Sequence, residues 1–574
     1  MKQALVLCFV FWGSGSLWAQ PDGQEALFGD LHVHTSYSMD AYLFGTIADP
    51  AQAYQFARGE KIDTTGDGTP DYQLETPLDF LAVTDHAEWF AEMEMTRNPS
   101  NENHDLAFAR VIRLARALAV GDPDQGIASD RSLADSVFPY MGSPFAMLYP
   151  PQRLGWPNDT TYQKTAWDRL VQAANDADAP GEFTALVAFE WTGMPSGNNL
   201  HRNVIFEGGA PDDAPWSVFE CKDPEELWVK LEASRSAGFD VLAIPHNPNI
   251  SGGLMYQRSK GADVVAMDQA YVEMRARNEP LVEIFQTKGN SETHTALSTD
   301  EFAEFESLPL SYGLGGTVTA AVVSKYDFVR EGLKLGLEHE QTFGVNPFKQ
   351  GIIASTDTHN GTAATAEHNW RGHHGVQDNT RQRRLTEGSV IKNPGGLAGV
   401  WVGEGQNNRA AIFAALKNKT TFGTSGNRIK VHFSGKFAAD TETTVMGGSL
   451  IQNTGAPQFE VWAMRDPSPF AHDLDRIQII KGWFDGTESH ERIYNLKSGP
   501  AGEMNVSWSD PAFDSSQRAF YYARVLEVPS PRWSSYDAAN EAVDRPKDTI
   551  RERAWSSPIW YSPTQVQNKK KKRR

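Results

Sequence analysis

Gly29-Asp30-Leu31-His32-Val33-His34-Thr35, followed closely by Asp40, is the stretch on which the reading of this chain turns. An apolar-rich run through Ala26, Leu27, Phe28 and Leu31 leads into two histidines two residues apart. On a strand, residues i and i+2 point to the same face, so both imidazoles aim at one spot and can grip one cation. Taken alone, the pair reads equally well as two surface histidines at a strand end. Four further apolar runs end in the same way: Phe80-Leu81-Ala82-Val83-Thr84-Asp85-His86, Leu186-Val187-Ala188-Phe189-Glu190, Val241-Leu242-Ala243-Ile244-Pro245-His246, and Ile352-Ile353-Ala354-Ser355-Thr356-Asp357-Thr358-His359. Chance does not readily put so many metal-binding residue types at one end of successive buried strands.

Working outward, apolar runs ending near 32, 84, 189, 206, 245, 285 and 356 predict the seven strands of a (β/α) barrel, with the ligands at the strand C-terminal ends facing one mouth. Helix signals fall between them. Asp223 is an N-cap, Pro224 the first helical residue, and Glu225 and Glu226 the acidic first turn; Gly238 ends this helix just before the strand to His246. Asn407 to Leu416 reads as a last helix. A long insertion, Glu88 to Gly181, separates the second and third strands. It carries a helix over Leu106–Val120 with Arg110, Arg113 and Arg116 at helical spacing, either a solvated face or a lid over an anionic substrate. Asp63 to Asp71 spaces oxygens like a calcium loop. Leu74 stands where its bidentate glutamate would be, so the stretch reads as a Gly- and Asp-rich turn.

From Arg428 the texture changes to alternating apolar runs: Ile429-Lys430-Val431-His432-Phe433, Phe459-Glu460-Val461-Trp462-Ala463, Ile477-Gln478-Ile479-Ile480 and Phe520-Tyr521-Tyr522-Ala523-Arg524-Val525. This predicts a C-terminal all-β, sandwich-like domain. The expected organisation is a signal peptide over 1–19, a barrel over 20–428 with its insertion at 88–181, a β-rich domain over 429–566, and a basic tail over 567–574. There is no internal repeat.

The signal rests on Lys2, the apolar Ala4–Trp12 and a cleavage site at Leu17-Trp18-Ala19. The apolar run is too short to span a bilayer. Cys8 lies inside it, so cleavage leaves Cys221 alone and no intramolecular disulfide can form. An exported chain with one cysteine fits a bacterial periplasm or exterior. The formal charge of −20 opposes binding to nucleic acid or anionic lipid. With no thiolates to spare, the ligands are histidine and carboxylate, a set that favours zinc, manganese or iron over magnesium or calcium. At least nine candidate ligands are too many for one ion; two or three divalent transition-metal ions would use them.

The motif order His-x-His, Asp-His, Glu, His, His, Asp-x-His resembles the polymerase-and-histidinol-phosphatase (PHP) superfamily of metal-dependent phosphoesterases. Within it, Phe28-Gly29-Asp30-Leu31-His32-Val33-His34-Thr35, Thr356-Asp357-Thr358-His359-Asn360-Gly361 and Ser557-Pro558-Ile559-Trp560 are similar to a secreted bacterial family known as a domain of unknown function, DUF3604. The resemblance spans nearly the whole mature chain. It implies a distorted (β/α)7 barrel holding up to three metals. His32, His34 and Asp357 would bind the first, and Glu190 would bridge the first and third. His86 and His359 would hold the second, with Asp40 where many relatives have histidine. His201 and His246 would hold the third. Asp85 is read as an outer partner or cap, evenly with a direct role, and Glu283 as a structural or outer carboxylate.

The chemistry expected of such a site is hydrolysis by a hydroxide held between two metals, with no serine or cysteine nucleophile. Glu190 is then catalytic as well as a ligand. His373 or His374 is the expected proton donor to the leaving group. His368, Lys288 and Arg428 are the expected substrate contacts. The function expected is an exported hydrolase of small phosphodiesters or phosphonate and phosphate monoesters, with no stable membrane insertion. The rival readings are a metal-dependent amide, carbamate or sulfate ester hydrolase, and a surface- or carbohydrate-binding protein with a vestigial barrel.

Overall fold

The computed structural model describes residues 21–101, 103–121, 160–261, 263–308, 323–375, 378–386, 392–450, 455–543 and 548–563. The proposed signal peptide, the middle of the insertion and the basic tail lie outside these residues. Among the described residues no helix is long and apolar enough to cross a membrane.

All seven apolar runs form strands: β1 Gln24–Val33, β2 Phe80–Val83, β3 Thr184–Trp191, β4 Arg202–Phe206, β5 Val241–Pro245, β6 Leu281–Glu283 and β7 Gly351–Ile353. Every residue of β2 to β5 is buried. Strands covered on both faces need continuous apolar runs rather than alternation. Gly29 pairs with Phe80 of β2, and a β-carbon there would run into the Phe80 ring.

The uniform βα repeat expected from the sequence fails at the fourth strand. β1, β2 and β3 pair in parallel, but β4 is antiparallel to both β3 and β5. The link from Thr192 to His201 is shorter than the dozen or so residues that a parallel crossover needs. Nor do the seven strands close one hydrogen-bonded ring. β1 to β5 lie in a 13-stranded mixed sheet, while β6 and β7 form a separate parallel pair. The architecture is therefore mixed α/β, built on a large mixed sheet.

On its other side β1 pairs antiparallel with β8 (Leu397–Gly403), which pairs with β9 (Thr421–Thr424). The strands expected after residue 428 are present: β10 Lys430–Lys436, β11 Gln458–Met464, β12 Leu474–Phe484, β13 Ser489–Ala501, β14 Glu503–Ser509, β15 Arg518–Glu527, β16 Arg553–Ser556 and β17 Ile559–Tyr561. β10, β11 and β14 belong to a small four-stranded sheet. The rest continue the large sheet, entering it where β16 pairs with β9. The change of texture at 428–429 marks the start of β10, but hydrogen bonding passes across it.

The helices follow their caps. Asp223 accepts from the Glu226 N–H at 3.1 Å and starts Pro224–Ser236; Asn408 accepts from Ala411 N–H at 3.0 Å and starts Arg409–Asn418. In the insertion, Ala107–Val120 is helical. Arg113 donates to the carbonyls of Thr96 and His104, and Arg116 to those of Tyr42 and Gly45, so these two fix the helix in place; Arg110 is exposed. The Asp63 turn is closed by its own backbone, with Thr65, Gly66 and Gly68 N–H donating to the Asp63 carboxylate.

A buried ionic cluster ties the helix Val329–Phe343 to the C-terminal strands. Glu292 accepts from Arg330 at 2.5 Å, Arg524 at 3.0 and 3.1 Å, Tyr522 OH at 2.6 Å and Trp555 Nε1 at 2.8 Å. Asp300 accepts from the same two arginines at 2.8 and 2.9 Å.

Candidate metal centre

The strand ends bring the predicted ligands to one place. His32 is on β1 and His34 just beyond it; His86 follows β2, Glu190 is on β3, His246 follows β5, and Asp357 and His359 follow β7. His201 arrives because β4 is reversed: it precedes its strand, and the start of β4 lies beside the end of β3. Asp40 comes from the short helix Met39–Leu43. All except Asp40 and His86 are buried; the side chains of these two are 28% and 13% exposed and form the solvent side.

Glu190 stands at the middle with its two oxygens divided. Oε2 lies 3.2 Å from His32 Nε2 and 3.1 Å from His34 Nε2. Oε1 lies 2.6 Å from His201 Nδ1 and 3.2 Å from His246 Nε2. Asp357 Oδ1 is 3.3 Å from both His32 Nε2 and His34 Nε2. Asp40 Oδ2 is 3.3 Å from His86 Nε2 and 2.9 Å from His359 Nε2. Three sets could each hold an ion: His32, His34 and Glu190; Glu190, His201 and His246; and His34, His86 and His359. His34 thus faces two of the sets, whereas the sequence motif places it with the first alone.

A ring of second contacts aims these groups. Glu283 Oε2 holds His32 Nδ1 at 3.0 Å, Ser38 Oγ holds His34 Nδ1 at 2.8 Å, and Thr192 Oγ1 holds His86 Nδ1 at 2.6 Å. In each case the other ring nitrogen turns inward, the usual way a ligating histidine is oriented. Asp85 acts from outside: it accepts from Thr35 N–H, Thr35 Oγ1 and Ser38 Oγ at 2.6, 2.6 and 2.8 Å. Gln286 and Lys288 both hold Asp357 Oδ2, which leaves Oδ1 for the centre. Asp357 itself has a left-handed backbone, φ +53°, a conformation that a non-glycine residue adopts only when its surroundings impose it.

The electrostatics are those of a site that gathers positive charge. Burial opposes ionisation of Glu190, yet the charges of His86, His246 and His201 hold its carboxyl well below the usual range. Burial likewise opposes ionisation of Asp357, and His32 and Lys288 outweigh it. Burial pushes His359 down to about 3 despite Asp40, which keeps its imidazole neutral and able to ligate.

The residues fit metal cations. The donors are imidazole nitrogens and carboxylate oxygens. Donors held at about 2.1 Å by one ion stand roughly 3.0–3.4 Å from each other, which is the spacing of Glu190 Oε2, Asp357 Oδ1 and the two Nε2 atoms of His32 and His34. His34 Nε2 and Asp357 Oδ1 are buried and have no protein hydrogen bond. Buried polar atoms are almost always satisfied, so two such atoms facing each other mark a position for a cation.

The auxiliary residues divide. His373 and His374 adjoin the centre: their rings lie 4.4 and 5.5 Å from that of His359, and His373 O accepts from His359 N–H at 2.8 Å. Burial and Lys392 lower the proton affinity of both. Lys288 is at the centre but paired with Asp357. His368 is not brought there: Nε2 bonds the Glu75 carboxylate at 3.0 Å and the ring stacks on Phe470 at 3.8 Å. Arg428 donates to the carbonyls of Thr76 and Pro77, both at 2.7 Å, and lies over the Phe28 ring. Neither is placed to touch a substrate at the centre. Sequence reasoning missed Gln286, Ser38 and Lys392, which carry no motif of their own; Gln286 and Ser38 lie within four residues of a chosen residue, the one signal that could have found them.

The fold and site define an α/β protein with a deeply buried histidine–carboxylate centre suited to more than one cation. The family model described as "Protein of unknown function (DUF3604)" matches residues 21–501 and 495–563, and the chain belongs to this family. No curated protein and no solved structure matches the chain.

Proposed function

We propose that this protein is an exported, multinuclear metal-dependent hydrolase of phosphorus esters, with a distorted barrel of the PHP type. The observation that carries the reading is the division of Glu190: one buried carboxylate gives an oxygen to each of two histidine pairs, the arrangement of a bridging ligand. The PHP reading is supported by the segment after β7. Asp357 N–H donates to His32 O and His34 N–H to Thr358 O, both at 2.8 Å, so this segment runs beside β1 although β7 itself does not pair with it. Export is supported by the apolar segment at Ala4–Trp12 and the cleavage signal after it.

Two or three zinc, manganese or iron ions would be held by His32, His34 and Asp357; by His86, His359 and Asp40; and by His201 and His246, with Glu190 shared. When bound, such ions supply Lewis acidity toward phosphoryl oxygens and a nucleophilic water at neutral pH. The chain orients the imidazoles through Glu283, Ser38 and Thr192, and excludes bulk water from all but the side of Asp40 and His86.

Elemental analysis of the purified protein is expected to find two or three ions per chain. A panel of chromogenic phosphodiesters, phosphomonoesters, phosphonate, sulfate and carboxyl esters is expected to show turnover of phosphorus esters. Less than one tightly held ion per chain after reconstitution with manganese, zinc or iron would overturn the reading, as would turnover of the sulfate or carboxyl esters alone.

His373 or His374 passes a proton to the leaving group in this proposal; burial and Lys392 keep both imidazoles neutral at rest, so the proton is relayed through the ring and not stored on it. A proton donor matters most when the leaving group is poor. His373→Ala or His374→Ala is therefore expected to slow an alkyl ester at least about tenfold more than an activated aryl ester, with metal content unchanged. His368→Ala should leave both rates alone, because His368 faces Glu75. Equal slowing of both esters by the first two variants would put the acid elsewhere.

A further inference from the structure

Lys392 lies against the centre, yet nothing in the motif set points to it. Its Nζ is 3.4 Å from His374 Nδ1, and the His374 ring is 5.5 Å from that of His359. Among the described residues no carboxylate lies within ion-pair distance of Nζ. The carboxylates of the neighbourhood are otherwise held: Asp357 Oδ2 by Lys288 and Gln286, and Asp378 Oδ1 by His374 N–H at 2.8 Å. Lys392 is part-buried and its ammonium is balanced only from a distance, by Asp378, Asp357 and Asp40, so an anion that touches it directly would complete its charge.

The position is also rigid. Lys392 O accepts from Arg532 Nη2 at 2.7 Å and Trp533 Nε1 at 2.9 Å. The next residue, Asn393, is buried, and its carbonyl accepts from Thr287 Oγ1 at 2.7 Å. Thr287 adjoins Lys288, so the two lysines are fixed on neighbouring segments of one wall. Burial pushes Lys392 down to about 8, with Lys288 adding to the effect and Asp378, Asp357 and Asp40 opposing it. Below that value it is predominantly charged.

We infer that Lys392 is a specificity-determining residue that binds a non-bridging oxygen of a dianionic phosphoryl group, so that the hydrolase proposed above prefers phosphate or phosphonate monoester dianions to monoanionic diesters. The inference rests on the hydrolase reading for the word substrate, but not for the binding of the anion. A monoester dianion brings charge enough for both the centre and the ammonium beside it. A diester offers one negative charge and a second ester group where the lysine stands.

The test uses the full-length, metal-loaded protein and two probes, inorganic phosphate and dimethyl phosphate, titrated calorimetrically at about pH 7.5, on the charged side of the lysine's value of about 8. Wild-type protein is expected to bind phosphate at least about tenfold more tightly than dimethyl phosphate. Lys392→Gln should lower phosphate affinity about tenfold or more and leave dimethyl phosphate within about twofold, with metal content unchanged. Lys392→Arg should recover most of the lost affinity. Equal affinity of wild type for the two probes overturns the inference without any variant, as does a Lys392→Gln protein that binds both as wild type does. If the preference and its loss are seen but no phosphorus ester is turned over, the hydrolase reading falls and the anion site stands. If esters are turned over and the preference is absent, the reverse holds.

Discussion

Glu190→Gln is expected to cost more than about 100-fold in activity, beyond the 10–100-fold that loss of an outer partner usually costs, and to lower the number of ions retained per chain. Glu283→Gln is the comparison. Glu283 touches only the far nitrogen of His32 within the centre, at 3.0 Å, whereas Glu190 has one oxygen on each side of the centre. Glutamine keeps the size of the side chain, but only one of its two terminal atoms is an acceptor, so one histidine pair loses its shared oxygen. The measurement is elemental analysis and turnover of one ester for both variants side by side. Equal losses of metal and activity would show that Glu190 is not the bridge.

Glu292→Gln is expected to destabilise the protein by about 3–5 kcal/mol, the usual cost of removing one member of a buried ionic set, while the metal content of folded protein stays the same. Arg330 and Arg524 are wholly buried and both depend on Glu292 and Asp300 for their charge balance. The pH dependence has a definite sign. Burial opposes ionisation of Glu292, but Arg524 and Arg330 outweigh it and hold the carboxyl at about 2, below its ordinary 4.5. Its stabilising effect is therefore complete above pH 4.5 and is lost as pH falls from there towards 2. Denaturant unfolding followed by tryptophan fluorescence should show the gap between wild type and variant narrowing across that window. A gap independent of pH would mean that Glu292 acts through shape and not charge.

Much of the centre was legible because its ligands sit at the ends of buried strands, where apolar runs stop abruptly at a histidine or a carboxylate. Glu190 and His246 stand out as candidate ligands from this alone. The direction of β4 could not, since an apolar run reads the same either way. His201, given only by the family resemblance, reaches the centre from the start of a reversed strand and not from a strand C-terminal end. The loop after His359 was read as a source of histidines, and two of the three adjoin the centre; the third, His368, turned to Glu75 because loop geometry carries no periodic signal. Lys392 was invisible for the same reason. It is held by Thr287 through Asn393 and by Arg532 and Trp533, contacts whose sequence separation exceeds one hundred residues. That β6 and β7 pair with each other, apart from β1 to β5, was not legible, because pairing depends on register and not on composition.

The pairing of β9 with β16 sets a schedule for biosynthesis. β9 ends at Thr424 and its neighbour begins at Arg553, about 130 residues later. At roughly 5–20 residues per second, the ribosome would leave the edge of β9 bare for something between about 6 and 26 seconds. An unpaired edge in the middle of a growing sheet invites pairing with other nascent chains. The part of this protein that ends with β9 therefore cannot complete itself as it emerges. It must wait for its last strands, and a chain kept unfolded until synthesis ends would avoid the hazard altogether.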